Sequence, residues 1–184
     1  MILKKLASIA ATGLICAVTV SPSMAALKAG DAAPDFSTEA ALAGAVTKFS
    51  LAQSLKSGPV VLYFYPKAFT TGCTIEAHNF AEATPQFNAL GATVVGISND
   101  DIATQQKFSV EACRNKFAVL ADSGGQITKK YDAALAVRPD LSDRISYVIA
   151  PDGKVIYAFA SMNPDQHVEN TLRAVEQWKA AQRK

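Results

Sequence analysis

The sequence predicts an α/β fold in which a central mixed β-sheet is flanked by helices. Three observations lead there. The runs 59–65 and 93–97 are apolar at successive positions, as in strands buried on both faces, which suits a parallel pair. Between them, residues 74–83 contain no Gly or Pro and read as a helix. Residues 144–149 and 155–159 flank a Pro151-Asp152-Gly153 turn as a hairpin does, and a last helix follows.

The first 25 residues are predicted to lie outside the fold. Lys4 and Lys5 precede an apolar stretch of 15 residues, 6–20, and Ser23-Met24-Ala25 puts small residues where a signal peptidase reads. Cleavage is expected after Ala25, with export to the periplasm in a bacterial cell. The apolar run is shorter than the roughly 20 residues of a membrane span, so no membrane insertion is expected once the signal is removed. Removal takes two positive charges and no acids, so the formal charge falls from +2 to 0. A neutral chain lacks the basic face that a nucleic acid or an anionic membrane demands. Residues 26–184 suffice for one domain with a proper core, expected to be monomeric.

In chain order, the entry 30–36 leads to 46–51, which alternates as an edge strand does. Lys56-Ser57-Gly58 turns into the first buried strand. The following helix meets Pro85, where a kink or a restart capped by Thr84 is expected, and Gly91 ends it. After the second buried strand, Asp100 or Asp101 caps a helix running to about Asn115. A short strand at 117–120, a short helix at 125–131 and the hairpin come next. Asn163-Pro164 opens the closing helix, with Val168, Leu172, Val175 and Trp178 at apolar spacing.

The chemistry concentrates in Pro66-Lys67-Ala68-Phe69-Thr70-Thr71-Gly72-Cys73, the loop joining the first buried strand to its helix. Cys73 falls in the first helical turn, beside unpaired N–H groups and the positive end of the dipole. Both favour thiolate over thiol. A buried structural cysteine opening a helix would look the same. Thr70 is placed either to hold its hydroxyl over the sulfur or to cap the helix. Gly72 leaves its N–H open to a substrate, and Pro66 ends the strand. With 100° per residue, Ala77, Phe80 and Thr84 share the face of Cys73, within about 40° of it. That face should turn to the core and leave the sulfur in a shallow pocket. His78 lies about 140° away, so a Cys73–His78 metal pair is not expected.

Taken together, the loop is Pro-x-x-x-Thr-x-x-Cys, and here the sequence resembles the peroxiredoxins. The wider stretch from Phe64 to Ala77 is most similar to the bacterioferritin-comigratory-protein, or peroxiredoxin Q, subfamily. Segments 30–36 and 142–155 resemble that subfamily's opening segment and its arginine-bearing strand and hairpin. The resemblance implies a thioredoxin-like fold and a peroxidase without bound metal, haem or flavin. It implies Cys73 as the attacking sulfur, oxidised to sulfenic acid by hydrogen peroxide or an organic hydroperoxide. Arg144 would sit by that sulfur, with Thr70 and the Gly72 N–H on the peroxide, and Glu76 would either orient Arg144 or stand solvated. Two positions depart from the pattern: Thr71 stands where proline is usual, and His78 where the subfamily often has a second cysteine.

Closing the cycle then falls to Cys113. Ile102, Val110, Cys113 and Phe117 lie within about 80° of one another, an apolar stripe on the next helix. On its own that reads as a small buried hydrophobe. Some members of the subfamily carry the resolving cysteine on this helix, which implies a Cys73–Cys113 disulfide recycled by a thioredoxin-type dithiol protein. Two alternatives stay open: a one-cysteine peroxidase, and a non-enzymatic thioredoxin-like module with a permanent Cys73–Cys113 bridge. A disulfide oxidoreductase would want Cys-x-x-Cys after the strand, and the chain has none.

Overall fold

The computed structural model describes residues 26–183, so the signal segment expected at 1–25 lies outside the described residues. Nine strands and five helices follow one another: β1 Ser37–Leu42, β2 Ala45–Ser50, α1 Leu51–Leu55, β3 Val60–Phe64, α2 Thr71–Ala89, β4 Thr93–Ser98 and α3 Ile102–Glu111. Then come β5 Ala118–Ala121, α4 Gln126–Lys130, β6 Ala134–Leu135, β7 Arg138–Ser142, β8 Ile145–Ile149, β9 Val155–Ala160 and α5 His167–Ala181. Seven strands form one mixed sheet in the order β2-β1-β5-β4-β3-β8-β9, and β6 pairs with β7 apart from it. The sheet is flanked by helices as expected, and its centre is the parallel pair β3–β4, with antiparallel β8 on the other side of β3.

Alternation along β3 sorts the core into two layers. Val61, Tyr63 and Tyr65 face a cluster containing Cys73, Ala77 and Phe80 of α2, Phe108 of α3, Cys113 and Val175 of α5. Val60, Leu62 and Phe64 face the opposite cluster with Phe36, Leu51, Tyr131 and Tyr147. Among the described residues, no helix is long and apolar enough to cross a membrane.

Several elements depart from expectation. The helix from Cys73 neither breaks nor restarts at Pro85 but runs through it to Ala89. Thr84 does not cap a restart; its hydroxyl donates back to the Phe80 carbonyl at 2.8 Å. Buried Ala81, Ala83, Thr84 and Phe87 seat both halves of α2 against the core, so packing overrides the missing proline N–H. The next helix is capped by Asp101, whose carboxylate accepts from Thr104 N at 2.8 Å, but it stops at Glu111. Arg114 and Asn115 adopt left-handed φ values of 51° and 61°, and Asn115 N donates to Ser109 O at 3.0 Å, which closes the helix end. Cys113 therefore lies just past α3. The expected stripe is corrected at Val110, which is 43% exposed, while Cys113 and Phe117 are buried as expected; α3 itself buries Gln105, Phe108 and Ser109. Residues 46–50 do form an edge strand, with Leu51 opening α1, but its partner β1 is not legible because Ser37-Thr38-Glu39-Ala40-Ala41-Leu42 carries Glu and two Ala, residues of poor strand propensity.

Candidate active site

Strand β3 ends at Phe64, and the loop that follows is held from two sides. Tyr65 N donates to Ile97 O of β4 at 3.1 Å, and Ala68 N donates to the Asp100 carboxylate at 2.8 Å. Asp100 also accepts from Ser98 Oγ at 2.7 Å, Gln105 Nε2 donates to Ser98 Oγ at 2.8 Å, and the Tyr65 hydroxyl donates to Gln105 Oε1 at 2.6 Å. A buried polar chain thus ties the loop to β4 and α3. Pro66 is half-buried at its start. Phe69 takes a left-handed φ of 63°, strained for an aromatic residue, and stacks edge-on against Phe108 at 5.2 Å.

Helix α2 begins at Thr71, so Cys73 sits in the first turn. The first helical hydrogen bond runs from Thr74 N to Thr70 O at 2.9 Å, which leaves the Gly72 and Cys73 N–H groups outside the helix's own ladder. Thr70 stands at the N-cap position without a side-chain cap; its hydroxyl donates to Lys67 O at 2.9 Å and is exposed. Cys73 is only 1% exposed. The shallow pocket expected over the sulfur is therefore nearly closed.

Arg144 reaches the sulfur from the neighbouring strand. Register pairs Phe64 with Ile145, so the residue before Ile145 emerges level with the start of the loop. Its backbone is pinned on both sides, with Arg144 N donating to Asp143 Oδ1 at 2.7 Å and Arg144 O accepting from Ser161 N at 3.1 Å. Arg144 is 3% exposed, and its guanidinium spends three donors in three directions. Nε donates to Met162 O at 3.1 Å, Nη1 to Glu76 Oε2, and Nη2 to Cys73 Sγ at 3.3 Å. A Cβ on Gly72 would lie 3.1 Å from Nη2, so glycine makes room for this approach.

Glu76 is fully buried and is not the solvated carboxylate of the alternative reading. Burial pushes its carboxyl up to about 8, against the pull of Arg144. Glu76 Oε1 has no hydrogen-bond partner and lies 3.6 Å from His167 Nδ1. His167, also fully buried, stands between Ser146 Oγ at 2.8 Å from Nδ1 and Ser161 O at 2.9 Å from Nε2. Burial also holds its imidazole below the usual range.

Cys113 is buried in the same core layer as Cys73, and both are free thiols. Burial pushes the Cys113 thiol far up. The structure thus brings Cys73, Gly72, Glu76 and Arg144 into contact, keeps the Thr70 hydroxyl on Lys67, leaves His78 half-buried within α2, and sets Cys113 on a separate segment. Sequence reasoning missed His167 and Ser146. His167 precedes buried Thr171 and Val175 by four and eight residues, a helical spacing that places it on the inner face of α5. Ser146 alternates with Ile145 and Tyr147, which puts it on the α5 side of β8.

Residues 29–158 match the AhpC/TSA family. Over 150 residues, or 80% of the chain, the sequence is 33% identical to the chloroplastic peroxiredoxin Q of Oryza sativa subsp. japonica and spans 66% of that relative's length. Over 122 residues, 66% of the chain, it is 34% identical to the chloroplastic peroxiredoxin Q of Triticum aestivum, of which it spans 56%. The fold superposes on the crystal structure of peroxidoxin BcpB from Mycobacterium tuberculosis with a TM-score of 0.72 at 33% identity, covering 82% of this chain and 97% of that one. It also superposes on the reduced 2-Cys peroxiredoxin of Plasmodium vivax with a TM-score of 0.76 at 23% identity, covering 86% of this chain and all of that one, a likeness of fold.

Proposed function

The chain belongs to the AhpC/TSA family of peroxiredoxins, and from that premise we propose that it is a thiol-dependent peroxidase working through Cys73. The observation that carries this reading is the 3.3 Å approach of Arg144 Nη2 to Cys73 Sγ at a helix start. A permanent structural disulfide would need no guanidinium on its sulfur.

In the proposed cycle the Cys73 sulfur, its negative charge set against the guanidinium, attacks the nearer oxygen of a hydroperoxide. The S–O bond forms as the O–O bond breaks, giving Cys73 sulfenic acid and, with one proton, water or an alcohol. The free Gly72 and Cys73 N–H groups and Arg144 stabilise charge on the oxygens. Thr70, exposed beside the helix start, orients the peroxide by turning its hydroxyl from Lys67 O. Cys113 then attacks the sulfenic sulfur, forming the disulfide and releasing water, and a thioredoxin-type dithiol protein restores both thiols by exchange. The raised Cys113 thiol ionises once its segment opens to water, and its place beyond the last turn of α3 means that only a helix end must unwind. The substrate is hydrogen peroxide or a small organic hydroperoxide, and the work is done in the periplasm after removal of the first 25 residues.

Cys73→Ser should abolish peroxide consumption. Cys113→Ser should permit one turnover and stop cycling with a dithiol donor. Intact mass after one equivalent of peroxide should show the loss of two hydrogens in the wild type. Full steady-state activity in Cys113→Ser would establish a one-cysteine cycle, and unchanged activity in Cys73→Ser would end the enzymatic reading.

A further inference from the structure

We propose that His167 is a positioning residue: it holds a proton on the Glu76 carboxyl and so leaves the Arg144 charge to the Cys73 sulfur. The inference rests on the peroxidase reading of Cys73, and it concerns three buried groups that this reading leaves idle.

The proton assignment follows from hydrogen-bond chemistry. His167 Nε2 faces the Ser161 carbonyl at 2.9 Å, and a carbonyl only accepts, so Nε2 carries hydrogen. Burial disfavours the charged ring. Nδ1 is then a bare acceptor, filled in part by the Ser146 hydroxyl at 2.8 Å. Its other neighbour, 3.6 Å away, is Glu76 Oε1, a fully buried oxygen with no donor of its own. Two acceptors aimed at each other in a dry interior repel. A hydrogen on Oε1 turns the same arrangement into an attraction. The upward push that burial exerts on Glu76 points the same way.

The charges around Glu76 show what the proton accomplishes. Among the described residues Arg144 is the one cation in contact with it, and that guanidinium also touches Cys73. Cys73 stands one turn earlier on the same helix, Tyr63 faces Glu76 from β3, and Asp143 and Arg144 bear on His167 from the start of β8. An ionised Glu76 would compete with an ionised Cys73 for a single positive charge in a site nearly closed to water. A neutral Glu76 still accepts from Nη1 through Oε2, and so aims the guanidinium without claiming its charge. His167 is the acceptor that holds this state.

Three substitutions separate this role from simple packing, because the His167 ring also stacks edge-on against Phe159 at 4.9 Å. His167→Phe keeps the ring and loses both nitrogens. His167→Gln keeps a donor for Ser161 O, and His167→Asn keeps an acceptor near the place of Nδ1. The readout is the pH dependence of Cys73 alkylation by iodoacetamide, mapped by peptide mass, with the acid limb of kcat/KM for hydrogen peroxide alongside. His167→Phe and His167→Gln should move the acid limb of alkylation upward by roughly 1 pH unit, since Glu76 then competes for Arg144. His167→Asn should stay with the wild type. The proposal is overturned if His167→Gln keeps the wild-type limb, or if His167→Asn moves as far as His167→Gln. Alkylation does not require turnover, so absence of peroxidase activity in the wild type would sink the enzymatic reading and leave this comparison standing. Should His167→Phe fail to fold, the Asn and Gln variants decide the matter by themselves.

Discussion

At Gly72 the space for one methyl group separates a working guanidinium from a displaced one. The position Cβ would take lies 3.1 Å from Arg144 Nη2, tighter than ordinary contact, and Arg144 cannot retreat freely because Met162 O and Glu76 hold its other nitrogens. Gly72→Ala should therefore force Nη2 off the sulfur and lower kcat/KM for peroxide about tenfold or more. Glu76 supports a prediction about stability. Its carboxyl is raised from 4.5 to about 8, so the folded chain binds that proton more tightly than the unfolded one. The stabilisation is complete below the unfolded value and is lost as pH rises through the folded one. Thermal melts from about pH 5 to about pH 8 should show the wild type losing more stability than Glu76→Gln over that window. Equal losses would mean that Glu76 is ionised throughout.

Helix α2 shows how far elements could be read from sequence. Its start, its cysteine and its buried face at Ala77, Phe80 and Thr84 were legible, because strand, loop and helical periodicity are local signals. Its passage through Pro85 was not, since continuity there depends on what the flanking turns pack against. The same limit explains α3. Apolar spacing placed Cys113 correctly in the core but Val110 wrongly, because the buried face of α3 also carries Gln105 and Ser109, polar residues that meet Leu120 O and Gly44 N from distant segments. Cys73 and Arg144 could be named from the family resemblance. Glu76 facing His167 could not be paired, because two helices far apart in sequence meet there only through the sheet order. Pro85 itself invites a test. It is exposed, and its missing N–H leaves the Ala81 carbonyl without the usual helical donor. Pro85→Ala should restore that bond and raise the stability of the reduced protein, by up to about 3 kcal/mol, in denaturant unfolding. A loss of stability would show that the proline suits its turn.

Across the whole molecule, the sheet keeps the chemistry on one side. Cys73, Cys113, α2, α3 and α5 pack on the layer that contains Tyr63 and Tyr65, while Leu62, Phe64, Tyr131 and Tyr147 fill the other. Cys73 emerges beyond the carboxyl end of β3, next to parallel β4, the end at which open α/β sheets gather their sites. Arg144 arrives from antiparallel β8 because the register sets Ile145 against Phe64. If Cys73 and Cys113 join, the strain should fall on the least supported backbone of their layer. That is the stretch after Glu111, where Arg114 and Asn115 already sit in the left-handed region and the chain is held by turn bonds, Cys113 N to Phe108 O, Asn115 N to Ser109 O and Lys116 N to Cys113 O, in place of a continuous ladder. The central strands bond to neighbours on both sides and need not move. Hydrogen exchange measured before and after one equivalent of peroxide should show residues 109–116 losing protection while β3, β4 and β8 keep theirs. The first turn of α2 should open to a smaller degree, since α2 is 19 residues long and anchored along its buried face. Protection lost evenly across both layers would mean that the disulfide loosens the whole domain, and the division of labour between the two faces of the sheet would be refuted.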